Sequence, residues 1–341
     1  MSIDLPLIWA GIIALAVGLY VLLDGFDLGV GMLFPFARSS EDRDVMMNTI
    51  APVWDGNETW LVLGGTGMMG AFPLAYGVLM PALYLPVILM LGALILRGVA
   101  FEFRVHGGRR GRPFWTAAFA GGSTAATLAQ GFVLGGFIQG VTVKAGQFAG
   151  GPFDWFTPYT VLIAFGLMSG YALLGSSWLM MKSKDALHGD ARRWTKVTTL
   201  VTGIFLAAVS VATLFIHPQV AERWGVTLKG VDVLRIMVLA PVPLLGVAGL
   251  ALVTLGFRLR SHFMPFIGVA LVFASGYLGL AVGFAPYIAP YAFTFREAAS
   301  ANNALALMLA GASILLPMIL IYTVLVYWTF RGKVTPDVGY H

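Results

Sequence analysis

The sequence contains no cysteine, which excludes disulfide bridges, thiolate-held metals and cysteine nucleophiles together. Charge is scarce too: 11% of its 341 residues are Asp, Glu, Lys or Arg, against 58% hydrophobic residues and a mean hydropathy of +0.84. A soluble globular domain of ordinary make-up does not have that balance. Histidine is also sparse, with five in the whole chain.

What is abundant is apolar sequence. Crossing about 30 Å of hydrocarbon takes roughly 20 residues. Stretches of that size recur near 8–33, 57–73, 76–101, 114–138, 158–181, 197–216, 235–257, 263–286 and 304–330. The 57–73 stretch is short, glycine-rich and opens with charged residues. The expected fold is all-α: a polytopic membrane protein of about nine transmembrane helices, a single transmembrane domain over 1–341 with no soluble domain inserted. The first stretch lacks a basic leader and carries aspartates, so it is expected to stay as a helix and not to be cleaved as a signal.

Lysine and arginine set the expected orientation, because positive loops are retained on the cytoplasmic side. With the amino terminus outside and the carboxyl terminus inside, 16 of the 21 basic residues fall inside: Arg97 at the inner end of the third stretch, and the rest in the loops 34–56, 102–113 and 182–196, the next connection and the tail. Lys144, Arg223, Lys229, Arg235 and Arg296 are left outside, scattered along the chain.

A pI of about 9.5 does not imply nucleic acid here. The basic run Arg109, Arg110, Arg112 is a short inner loop, and anionic lipid head groups account for it. Gly65, Gly67 and Gly70 spell a dinucleotide fingerprint, but inside a membrane segment with no strand before it, so close helix packing is the expected role. Gly64, Gly135, Gly136 and Gly140 read the same way.

Haem or metal inside a membrane bundle calls for imidazole ligands there. His106, His188 and His262 fall in inner loops, His341 ends the chain, and His217 closes the sixth span before Pro218. No two of them meet at mid-membrane depth. The chain itself is therefore expected to ligate neither haem nor metal.

The acids stand out. Asp24 and Asp27 lie three residues apart in the inner half of the first helix, and Asp55 and Glu58 open the second with the same spacing, so each pair shares a helix face. A carboxylate in the bilayer costs several kcal/mol and is normally paired or used. One reading is that these acids cap a helix start or pair with Arg97 and Arg104, and it weighs equally with a functional one for Asp27 and Glu58. Asp24 sits about two to three turns from the inner surface, at 1.5 Å per residue, too deep for surface capping. Proton transfer is the reading it favours.

Asp24-Gly25-Phe26-Asp27-Leu28-Gly29-Val30-Gly31, the stretch Asn48 to Trp60 with its Trp54-Asp55-Gly56-Asn57-Glu58-Thr59-Trp60, and Arg97-Gly98-Val99-Ala100-Phe101-Glu102-Phe103-Arg104 resemble subunit II of the cytochrome bd-type quinol oxidases. Gln139-Gly140 and the Arg331-Gly332-Lys333-Val334 ending agree, and the resemblance covers essentially the whole chain. It implies a bacterial cytoplasmic-membrane terminal oxidase that takes electrons from a membrane quinol and reduces dioxygen to water. It also implies that haems b and d sit in a partner, subunit I. The implied fold is two four-helix bundles plus a peripheral helix. Carried over, Asp24 and Asp55 belong to a cytoplasmic proton route at the subunit interface, while Asp27, Glu58, Glu102 and Arg97 match motif positions as support. A structural quinone and a small single-span accessory subunit are compatible with the resemblance, but no motif here places the quinone.

The mechanism expected from this is charge compensation, with Asp55 receiving cytoplasmic protons and Asp24 relaying them inward. Two other classes fit the acids. A proton-coupled secondary transporter would use them to couple substrate movement, with Pro81, Pro86, Pro241 and Pro243 as its only hints of broken helices. A purely structural subunit would keep them in silent salt bridges.

Overall fold

The computed structural model describes residues 4–106, 108–227 and 230–335. Lys229 and His341, and the side chains of His106 and Arg109, lie outside the described residues. Asp4 accepts the Leu7 N–H at 3.3 Å and starts α1 (Leu5–Leu33), with a proline in its first turn. Ser39 caps α2 (Ser40–Ile50), whose Glu41 and Asp42 suit the positive end of a helix. The expected loop 34–56 thus contains a helix, one too short and polar to register as a span.

The remaining helices are α3 (Trp54–Ala71), α4 (Pro73–Ala82), α5 (Tyr84–His106), α6 (Gly108–Gln139), α7 (Pro158–Lys182), α8 (Asp185–Leu214), α9 (Pro218–Arg223), α10 (Val233–Leu239), α11 (Pro241–Arg258), α12 (Met264–Phe284) and α13 (Asn302–Thr329). Three two-stranded hairpins complete the described residues. Seven of the described helices are long and apolar enough to cross a membrane: α1, α5, α7, α8, α11, α12 and α13. The chain is an all-α polytopic membrane protein. Polar residues at the start of α3, and the basic start and small hydroxyl-bearing residues of α6, lower the hydropathy of those two.

Two expected spans are divided. The 76–101 stretch breaks at Leu83, between α4 and α5. Pro73 opens α4, and α4 packs on strands of two hairpins. Pro86 falls in the first turn of α5, where a missing N–H costs nothing. The 235–257 stretch breaks at Ala240, where Pro241 starts a new helix. The expected basic loops 102–113 and 182–196 are mostly helical, because α5, α6 and α8 continue into them.

α1 is the central element, packed on α3, α6 and α7. α5 packs on α6, α8 on α7 and α11 on α12, with α12 also touching α7. α13 touches α1 and α3, sets Tyr327 against Trp178 of α7 and is exposed over most of its length. The α1–α7 contact is backbone on backbone: a Cβ on Gly29 would meet the Tyr171 carbonyl oxygen at 1.9 Å, and one on Gly175 would meet the Gly29 carbonyl carbon at 2.3 Å. Gly131 against Ala164 and Gly135 against Thr160 draw α6 and α7 together in the same way. Of the fingerprint-like glycines, Gly64 and Gly67 face α1, Gly70 faces Met308 and Gly65 faces open space.

Gly29→Ala should therefore destabilise the chain by about 1–3 kcal/mol or more through overpacking. Gly11→Ala, with nothing within 4 Å of its new methyl, should be tolerated. Thermal unfolding of the purified complex in detergent checks both.

Candidate functional site

The basic connections gather at one end of the bundle, the basic end. About three turns in from it, Arg97 is 2% exposed, among the apolar residues of α5. A guanidinium does not lose its charge there, so it must find anions. Its Nη1 donates to Asp24 Oδ1 at 2.7 Å, and its Nη2 lies 3.3 Å from Glu58 Oε2, an ionic contact without hydrogen-bond geometry. Trp54 puts its ring 5.8 Å from the guanidinium carbon. α5 can bring Arg97 this close because Gly98 faces Trp54 and Gly122 of α6 faces the Arg97 backbone.

Asp27, fully buried, accepts the Asn57 side-chain N–H at 2.7 Å. Asn57 in turn accepts the Tyr327 hydroxyl of α13 at 2.9 Å. One turn from Asp24 on α1, Tyr20 accepts from Gln130 Nε2 at 2.6 Å, and Tyr171 donates to Gln130 Oε1 at 3.0 Å. Oδ2 of Asp24 and Oδ1 of Asp27 are buried with no hydrogen-bond partner among the described residues. Two carboxylates thus meet one guanidinium, with that of Asp27 one turn along α1, within a polar network contributed by α1, α3, α5, α6, α7 and α13.

Of the four acids singled out in the sequence, Asp24, Asp27 and Glu58 converge and Asp55 does not. Asp55 lies on the exposed face of the first turn of α3, its carboxylate without a hydrogen bond or ion pair among the described residues. Glu102 is exposed. Arg97 takes the pairing role expected of it, but Arg104 pairs with Asp44 instead, at 2.7 Å, a partner the sequence did not suggest. Asn57, Tyr20, Gln130, Tyr171 and Tyr327 were also missed; the only available signal was that Asn57 and Gln130 are amides inside apolar stretches.

At the rim of the basic end, Asp44 fixes α2 to α5 and α6 through Arg104 and Arg112. Burial pushes the Asp44 carboxyl upward, but hydrogen bonds from Arg112 and Arg104 outweigh it and hold it below the usual carboxylate range. Arg38 reaches Asp190 at 2.5 Å. His188 and His262 meet ring to ring, with centroids 4.8 Å apart, and His188 Nδ1 bonds the Met180 carbonyl.

The described histidines do not fit axial haem ligation. His217 caps α9 through Nδ1 and stacks on Tyr291 at 3.8 Å, while His188 and His262 lie at the basic end. Among the described residues no group of three or more His, Cys, Asp or Glu could hold a metal ion.

The sequence profile of the cytochrome bd terminal oxidase subunit II family matches residues 5–330. The chain belongs to that family. It is therefore a subunit of a terminal oxidase complex and a multi-pass protein of a bacterial membrane. Cytochrome bd-I ubiquinol oxidase subunit 2 of Escherichia coli K12 is 27% identical to it over 361 aligned residues, which cover 96% of this chain and 94% of that one. Cytochrome bd ubiquinol oxidase subunit 2 of Bacillus subtilis is 26% identical, covering 96% of each. The solved bd oxidase of Geobacillus thermodenitrificans contains a chain that matches with a TM-score of 0.74 at 18% identity, over 97% of this chain and 100% of that one, a likeness of fold. Membership of the subunit II family sets the transporter reading aside.

Two outcomes follow for this site. Arg97→Gln should cost about 3–5 kcal/mol by stranding buried carboxylates. Adding Asp24→Asn should recover much of that loss, as read by thermal unfolding of the complex. Asp44 contributes stability above its unfolded-state pKa, and that contribution is lost as pH falls through its lowered folded value. Protease accessibility of the α2 segment should rise at acid pH, and Asp44→Asn should remove that dependence.

Proposed function

We propose that this chain serves the oxidase as the haem-free partner of subunit I, stabilising it and supplying a cytoplasmic proton route for the reduction of dioxygen to water with a membrane quinol as donor. The placement of the histidines supports assigning haems b and d to subunit I. Those haems, when bound there, carry the electrons from quinol to oxygen. Nine crossings, with α3 and α6 counted beside the seven apolar helices, an outer amino terminus and an inner carboxyl terminus, make the basic end cytoplasmic. The contacts of α1 with α3 and of α5 with α6, and of α7 with α8 and α11 with α12, suit two four-helix bundles, with α13 at the periphery.

The observation that carries the reading is the excess of buried acid over buried base. The fully buried Asp24 and Asp27 and the partly exposed Glu58 have one guanidinium, that of Arg97, to balance them, and an interior site does not keep two uncompensated charges. Such a cluster holds protons and can exchange them. Asp55 is the exposed acceptor at the cytoplasmic mouth. Glu58, with 24% side-chain exposure, stands one turn further along α3 and touches Arg97, whose other nitrogen holds Asp24. The expected order of Asp55 then Asp24 thus gains Glu58 as its middle member. Protons taken up here balance electrons delivered in subunit I, while quinol oxidation releases protons on the far side, so charge separates without a pump.

The 2.7 Å ion pair of Asp24 with Arg97 favours a second reading, a structural subunit whose acids are silent. Substitution separates the two. In complexes with full haem content, Asp55→Asn and Asp24→Asn should each lower quinol oxidase turnover about tenfold or more. Wild-type turnover and proton uptake in fully assembled Asp55→Asn and Asp24→Asn complexes would leave the structural role standing.

A further inference from the structure

Between α8 and α11, at the basic end, lies positive charge that no carboxylate offsets among the described residues. Arg192 donates from Nη2 to the Phe257 carbonyl, in the last turn of α11, at 3.0 Å, and its guanidinium carbon lies 5.9 Å from the Phe257 ring centroid. One turn along α8, the Lys196 ammonium lies 5.7 Å from the same ring. Arg258 and Arg260 are exposed just beyond, and Lys333 of the tail is near enough to act on His188 and His262. The acids of α8 are elsewhere: Asp190 is taken by Arg38 at 2.5 Å and by Arg193 at 3.8 Å, and Asp185 is two turns away toward the helix start.

Arg192 is thus fixed by a neutral carbonyl, and its Nε is buried with no hydrogen-bond partner among the described residues. Its full charge is left for an outside anion. Directly beyond Lys196, the exposed side chains Val197, Leu200 and Ile204 follow one another at helical spacing along α8. A fixed guanidinium with an exposed ammonium one turn along, above a continuous apolar track, matches a phosphate above a hydrocarbon chain.

We propose that the α8–α11 groove is a binding site for an anionic phospholipid, its phosphate held by Arg192 and Lys196 and one acyl chain lying along Val197, Leu200 and Ile204. The site is independent of the acid cluster and of any proton route.

The test uses the whole complex in nanodiscs of phosphatidylcholine with added phosphatidylglycerol, followed by native mass spectrometry of the lipid retained after release. Wild type should retain phosphatidylglycerol, and Arg192→Gln/Lys196→Gln should reduce retention about fivefold or more. Arg110→Gln, an exposed arginine at the same end, should leave it unchanged. If the double variant fails to assemble, Lys196→Gln alone carries the test, since that side chain is exposed and makes no hydrogen bond among the described residues. Undiminished retention in the variants overturns the proposal. So does an equal loss in Arg110→Gln, which marks general attraction, or displacement of the lipid by inorganic phosphate, which marks a site for the free anion.

Discussion

A guanidinium that cannot shed its charge, placed inside an apolar bundle, constrains everything around it. Arg97 can stay where it is only if acids come to it, and they come from two other helices: Asp24 from α1 and Glu58 from α3. The close helix approaches serve the same end. Gly122 lets α6 press on the Arg97 backbone, Gly98 admits Trp54, and Gly29 with Gly175 brings α7 against α1 beside the acids. The packing and the polar site are one arrangement seen from two sides.

The same constraint explains why the site is over-connected. A buried polar group left without a partner costs more than a hydrogen bond gains. Asp27 is accordingly held by Asn57, Asn57 by Tyr327, and the two phenols near Asp24 share Gln130. One oxygen each of Asp24 and Asp27 is left without a hydrogen-bond partner among the described residues. At the rim, Asp44 with Arg104 and Arg112 uses the same chemistry for a different purpose, fixing a short helix across the mouth of the bundle.

The acids themselves were legible in the sequence, because a charge inside a hydrophobic stretch shows without a structure and a spacing of three puts a pair on one face. The depth of Asp24 followed from counting residues. What could not be read were pairings set by tertiary packing: Gln130 with Tyr20 lies 110 residues apart in sequence and Tyr327 with Asn57 lies 270 apart, with no local pattern to announce either. The spacing of Asp55 and Glu58 puts them on one face of α3, yet Asp55 is exposed while Glu58 turns inward to Arg97. The division into α4 and α5 was hidden for a related reason, since hydropathy averages across Leu83 while the backbone breaks there.

The tie between Asn57 and Tyr327 has a meaning in the order of synthesis. A ribosome delivers the chain from its amino terminus, so α1, α3 and α5, and with them the Asp24–Arg97 pair, are available while most of the protein is unmade. Asn57 waits for a hydroxyl on the final helix, and Lys182 waits for the carbonyls of Phe330 and Gly332 just past it. The ionic centre is thus installed first and latched last. A chain stopped during translation before α13 would carry the charged centre without these two ties.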